Sequence, residues 1–118
     1  MSLKTFTAAY VEASLWSSTD EEGRPFDENY GPADIAPDTK KQMEKNARDF
    51  YLTWNEWWSD EEGYGDEQAG HDFWLTRNGH GAGFWDRGLK NGKKLTDAAL
   101  AYGSFDLYVG DDGKVYGS

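Results

Sequence analysis

The sequence has no cysteine, which excludes disulfides, thiolate-bound zinc and cysteine nucleophiles together. It has no long apolar run either. Nothing approaches the ~20 residues that a membrane-crossing helix needs, and the N-terminus lacks the basic-then-apolar order of a secretory signal. A cytoplasmic location is therefore expected, with no membrane partner. β-Branched aliphatics are scarce: Ile35 is the single isoleucine, and the valines are Val11, Val109 and Val115. The core must then come from the six Trp, seven Tyr and six Phe, each burying on the order of 150–250 Å².

Basic residues are the remaining shortage. Twelve Lys and Arg face 22 Asp and Glu, for a net charge of −10, and the excess is spread evenly over both halves of the chain. Phosphate contacts require Lys and Arg to displace counterions, so direct nucleic-acid binding is not expected. An acidic surface serves solubility, or it meets a basic partner such as the nucleic-acid groove of another protein. At 118 residues the chain is one domain, residues 1–118, large enough to hide roughly two thirds of its unfolded surface.

In chain order, Phe6, Ala9, Tyr10, Ala13 and Trp16 recur at three-and-four spacing and predict a first helix over residues 4–16. The polar run from Ser17 to Gly23 ends it. All three prolines then fall in one connection, at Pro25, Pro32 and Pro37. A loop near 20 residues long is unusual in a compact domain, and Phe26, Tyr30 and Ile35 are its expected pins to the core.

A second helix follows, capped by Asp38 or Thr39 and stopped on its N-terminal side by Pro37. Its stripe is Met43, Ala47, Phe50, Tyr51, Trp54 and Trp58, with Trp57 beside it. Next comes an acidic loop in which Asp60, Glu61, Glu62, Asp66 and Glu67 place five acids in eight residues with no base. Such charges repel and stay solvated. Directly after a Trp-Trp pair, they also suit an interaction edge, since tryptophan is a frequent anchor at protein interfaces.

The stretch from Gly70 to Asp86 reads as a hairpin, with Phe73 to Arg77 and Ala82 to Asp86 as strands. Asn78-Gly79-His80-Gly81 would join them, Asn-Gly favouring the positive φ of a primed turn. Arg87 to Lys94 is the only basic patch. A short third helix starts at Thr96 and ends at Gly103, and a second hairpin joins Phe105–Gly110 to Lys114–Tyr116 through Asp111-Asp112-Gly113. The expected fold class is α+β: an antiparallel sheet of three to four strands, from two hairpins, packed against two to three helices.

Candidate chemistry gathers at His71, Asp72, His80 and Asp86. In the hairpin register His80 lies on the order of 13–17 Å from the other three, too far to share a metal ion. A metal site of His71, Asp72 and Asp86 without His80 is the geometric alternative, and the second functional reading is a small hydrolase or metal-dependent enzyme using His71, His80, Asp72 and Asp86. There is no Gly-x-Ser-x-Gly elbow and no phosphate-cradling Gly-rich loop ahead of a helix. Asp111-Asp112-Gly113 lacks the ligand pattern of a calcium loop. No cofactor and no catalysis are expected.

The run Gly70-His71-Asp72-Phe73-Trp74-Leu75-Thr76-Arg77-Asn78-Gly79-His80-Gly81-Ala82-Gly83-Phe84-Trp85-Asp86-Arg87-Gly88 resembles the central signature of a group of small bacteriophage proteins without assigned biochemistry. Asp106 to Tyr116, Leu15 to Asp20 and Asn29 to Pro37 are similar to that group as well. The resemblance implies a phage or prophage origin and expression in a bacterial cytoplasm; it implies no activity and no site. The leading expectation is a non-enzymatic accessory protein that binds and modulates a host protein, a defence or DNA-processing factor with a basic surface. Its expected contacts are Trp57, Trp58, Asp60, Glu61, Glu62, Asp66 and Glu67. A virion or structural role is the third reading.

Overall fold

The computed structural model describes residues 2–118, and its organising element is a helix where the sequence suggests a strand. Four helices run in the order α1 (Leu3–Ser17), α2 (Pro37–Trp54), α3 (Asp66–Arg77) and α4 (Gly92–Leu100). The strands β1 (Leu107–Val109) and β2 (Val115–Gly117) close the chain. Single 3-10 turns fill the connections at Phe26–Glu28, Pro32–Asp34, Asn55–Trp57 and Phe84–Asp86. The expected sheet of three to four strands is thus corrected to one two-stranded hairpin among the described residues, paired Leu107 to Gly117, Tyr108 to Tyr116 and Val109 to Val115.

The first hairpin of the sequence reading does not exist. Its proposed outgoing strand is the C-terminal half of α3, and its proposed turn is the cap of that helix. The Gly79 amide donates to the Thr76 carbonyl at 3.1 Å and the His80 amide to the Leu75 carbonyl at 3.0 Å. Gly79 takes φ +70°. That bond pair around a left-handed glycine is the Schellman ending of an α-helix. Asn78-Gly79 is therefore a real turn signal that serves a different turn.

α3 is buried nearly all round, with Phe73, Trp74, Leu75, Thr76 and Arg77 enclosed in succession. Against it lies α1, and the two approach closely because the contact is made of small residues. Ala9, Ala13, Ala69 and Gly70 are all buried there. A Cβ on Gly70 would land on the Phe6 carbonyl oxygen and 2.9 Å from the Ala9 Cβ. Around this pair the aromatics stack: Phe50 on Phe73 at 4.2 Å between centroids, Tyr10 on Phe73 at 5.0 Å, and Phe6 on Trp58 at 5.6 Å. The aromatic core expected from composition is present in this form.

α2 begins on Pro37 itself, which occupies the first turn, where its missing N–H costs nothing. The expected cap at Asp38 or Thr39 is absent, because Ala36 is the capping position and its methyl cannot accept a hydrogen bond. Thr39 instead faces inward and accepts the Gly117 amide at 3.2 Å, tying α2 to β2. Phe26 and Ile35 pin the long proline loop, at 1% and 4% exposed. α4 starts at Gly92, four residues earlier than Thr96, whose hydroxyl donates back to the Gly92 carbonyl rather than capping.

Candidate functional site: an acidic edge on a buried polar scaffold

The acidic segment after α2 divides into residues that hold the fold and residues that face solvent. Trp58 is fully buried, and its indole N–H donates to Asp66 Oδ1 at 2.9 Å. The Tyr51 hydroxyl donates to Asp66 Oδ2 at 3.0 Å. Burial, followed by this bond and the nearby carboxylate charge, pushes the Tyr51 phenol up to about 12. Asp66 also stands in the first turn of α3, where the helix field favours a negative charge. Trp58 and Asp66 are therefore corrected from contact residues to core residues.

Asp60 and Glu61 are engaged within the chain. The Lys90 ammonium donates to Asp60 Oδ2 at 2.6 Å, and the Lys90 backbone N–H to Glu61 Oε2 at 2.7 Å. This bond holds the Asp60 carboxyl below the usual carboxylate range and raises the Lys90 ammonium. The Asn91 amide donates to the Trp57 carbonyl at 2.9 Å, closing the same seam. Trp57 is half-buried against Trp54, ring centroids 5.2 Å apart. Glu62 and Glu67 are exposed, with no ion pair among the described residues. The edge thus presents Glu62, Glu67 and the outer face of Asp60, with Glu56 exposed on the preceding turn.

The histidine cluster is not assembled. His71 and Asp72 are neighbours on α3 and point to different surroundings. His71 Nε2 lies 3.3 Å from Glu12 Oε1, and its ring meets Trp16 edge-on at 5.9 Å, both on α1. Asp72 is completely enclosed on the other side. His80 is exposed in the loop that follows α3, and the Asp86 carboxylate accepts the Gly83 amide at 3.1 Å within its own turn. No group of three or more metal-ligating side chains forms among the described residues.

Asp72 has a structural role that its sequence neighbourhood does not show. Arg87 clamps it from two nitrogens, Nη2 to Oδ1 at 2.8 Å and Nε to Oδ2 at 3.1 Å. The Tyr64 hydroxyl donates to Oδ2 at 2.6 Å and the Gln68 amide to Oδ1 at 3.2 Å. Burial, then the Asp72 charge and this bond, drive the Tyr64 phenol strongly upward, and the Asp72 bond raises the Arg87 guanidinium. This network fixes the acidic segment and the basic segment 87–94 to the central helix. The only sequence signal for it is one acid placed among α3's apolar residues.

Arg77, the last residue of α3, is buried with no carboxylate partner. Its guanidinium donates to the Gly103 carbonyl, the Tyr10 hydroxyl and Asn46 Oδ1, each at 2.8 Å, and to the Tyr102 carbonyl at 3.2 Å. The faces of Phe73, Tyr102 and Phe105 surround it at 5.5–5.7 Å. Carbonyl dipoles and ring quadrupoles together replace a counter-ion.

Comparison with protein-family models, with curated proteins and with solved structures finds no match. No described helix is long and apolar enough to cross a membrane.

Proposed function

We propose that this protein is a phage-encoded, non-catalytic accessory protein that binds and modulates a basic protein of the bacterial host, in the host cytoplasm. The observation that carries the reading is the disposition of charge. The chain holds 22 acids, and the ion pairs among its described residues engage only a minority of them. The rest form a negative field that attracts a basic partner, raises its rate of encounter and falls off with salt. The polar groups with chemical potential, Asp72, Asp66 and Arg77, are consumed in holding the fold.

The partner class follows from the same charge: a protein whose own function requires Lys and Arg in a groove, as nucleic-acid handlers do. The contact set is narrower than the sequence suggests, being Glu62, Glu67, Asp60 and the partly covered Trp57 and Glu61. Reversal of the two free acids, Glu62→Lys with Glu67→Lys, should abolish capture of a basic host protein from bacterial lysate while leaving the helical circular dichroism unchanged. Equal capture by wild type and variant would refute this edge as the contact.

A further inference from the structure

The closing hairpin keeps one edge unpaired. Main-chain bonds between Asp106 and Ser118, and from the Gly110 amide to the Lys114 carbonyl, flank the Tyr108–Tyr116 pair. Asp106, Tyr108 and Gly110 therefore bond inward, and Leu107 and Val109 turn their N–H and C=O groups outward. None of these four groups has a hydrogen-bond partner among the described residues. The outer side of β2 differs. There the Val115 carbonyl accepts the Ala36 amide at 2.8 Å, and the Gly117 amide donates to Thr39 Oγ1 at 3.2 Å.

The open edge lines a groove of about 450 Å³, together with Tyr30 and the loop that follows α1. In that loop Thr19 is bridged to Pro25 by the Asp20 amide to the Arg24 carbonyl at 2.9 Å and the Phe26 amide to the Ser18 carbonyl at 3.0 Å. By the same alternation the N–H and C=O of Thr19 turn away from Pro25, and they too have no partner among the described residues. One groove thus holds two sets of free main-chain donors and acceptors. An extended segment enters such a place by adding a strand, its backbone giving affinity and its side chains selectivity.

The loop sets the sign of that selectivity. Asp20, Glu21 and Glu22 line the groove with a single base, Arg24, which pairs with Asp20 at 3.3 Å and with Glu22 at 3.1 Å. Glu21 has no ion pair among the described residues. Three acids against one base attract Lys and Arg and repel a second copy of a chain with net charge −10.

We propose that the groove beside β1 takes an extended basic segment of a partner protein, which joins the hairpin as a third strand. Its backbone pairs with Leu107 and Val109, and its Lys or Arg side chains meet Glu21 and Glu22. Three paired residues span about 10 Å, so a segment of about five covers the edge. The inference goes beyond the acidic edge at Glu62 and Glu67, which lies on other elements, and rests on the basic-partner reading only for the source of the segment.

The test uses the purified full chain and the end-capped peptide Lys-Val-Lys-Val-Lys, read by calorimetry and by hydrogen exchange of single amides. In the free protein the Leu107 and Val109 amides should exchange faster than those of Tyr108 and Gly110. With about nine-tenths of the protein in complex their exchange should slow about ten-fold, because only the free fraction exposes them. The peptide N-methylated throughout, and Glu-Val-Glu-Val-Glu, should each bind at least about ten-fold more weakly, having lost the main-chain donors or the complementary charge. Glu21→Lys with Glu22→Lys should weaken the basic peptide about ten-fold. Val109→Pro, which deletes one outward N–H at an edge position where proline is tolerated, should weaken it about five-fold. Circular dichroism checks the fold of each variant. Glu62→Lys with Glu67→Lys should bind the peptide within about two-fold of wild type at physiological salt, so this site and the acidic edge fail separately. No binding, binding without slowed exchange at Leu107 and Val109, or equal binding of the acidic or N-methylated peptide overturns the proposal. Protection of those two amides in the free protein that grows with its concentration would place a second copy on the edge and overturn it as well.

Discussion

The Asp72 carboxylate concentrates more of the design than any other single side chain. It is fully buried and carries bonds from Arg87, Tyr64 and Gln68, so three separate segments meet on two oxygen atoms. Removing one partner of a buried pair leaves the other without compensation, which costs about 3–5 kcal/mol in enclosed sites. The Arg87 side chain is 31% exposed, which places Asp72→Ala at the lower end, about 3 kcal/mol by that principle. Tyr64→Phe deletes one donor to that carboxylate and should cost about 1.5–3 kcal/mol. Urea unfolding measures both. Losses no larger than the ±0.5 kcal/mol typical of surface changes would mean that the network does not hold the acidic segment.

At the scale of elements, the close crossing of α1 and α3 makes its own prediction. Gly70→Ala forces a methyl onto the Phe6 carbonyl, and backbone cannot swing aside as a side-chain tip can. The expected loss is about 1–3 kcal/mol, in the range of overpacked cores. Gly81→Ala meets open space and should stay within about 0.5 kcal/mol of wild type. If both variants unfold alike, the crossing is looser than described.

The helices α1 and α2 were legible because each has one solvated face, which leaves a clear three-and-four rhythm. The closing hairpin was legible because Asp111-Asp112-Gly113 sits between alternating residues; Gly113 indeed takes φ +81°. α3 was not legible for the opposite reason. A helix enclosed along its whole C-terminal half keeps too small a polar face to set a period, and Phe73-Trp74-Leu75 reads equally as a buried strand. Its glycines added to the error: Gly70 is a packing residue and Gly79 a helix cap, yet both look like strand-breaking or turn residues in isolation. The acidic edge was half legible. Local composition found the five acids, but the inward turn of Asp66 depends on Trp58 and Tyr51, brought to it only by the fold.

For the whole molecule, the phenols in and beside the core set an alkaline limit. Tyr10 and Tyr51 are raised to about 12, Tyr10 chiefly by burial and despite the Arg77 charge, and Tyr64 and Tyr102 shift in the same direction. Below the ordinary tyrosine value near 10, these groups are neutral in both folded and unfolded chains, so their contribution is fully present. As pH rises from about 10 to 12 the unfolded chain releases its protons first, and linkage then draws the protein toward unfolding. Helical circular dichroism and phenolate absorbance should therefore change together in that window. Ionisation of all seven tyrosines near the ordinary value with helix intact would contradict the burial of Tyr10 and the bonds of Tyr51 and Tyr64 to their carboxylates.

The proposed recruitment of a basic partner by the negative field depends on exposed charge pairs, which are screened over ~8 Å at physiological ionic strength. The decisive measurement is affinity capture from bacterial lysate across a series of salt concentrations, with the retained proteins identified by mass spectrometry. One basic, nucleic-acid-handling protein should be retained at low salt, released progressively as salt rises, and not retained by the Glu62→Lys, Glu67→Lys variant. A specific partner held equally at low and high salt, or no specific partner at either, would contradict that recruitment.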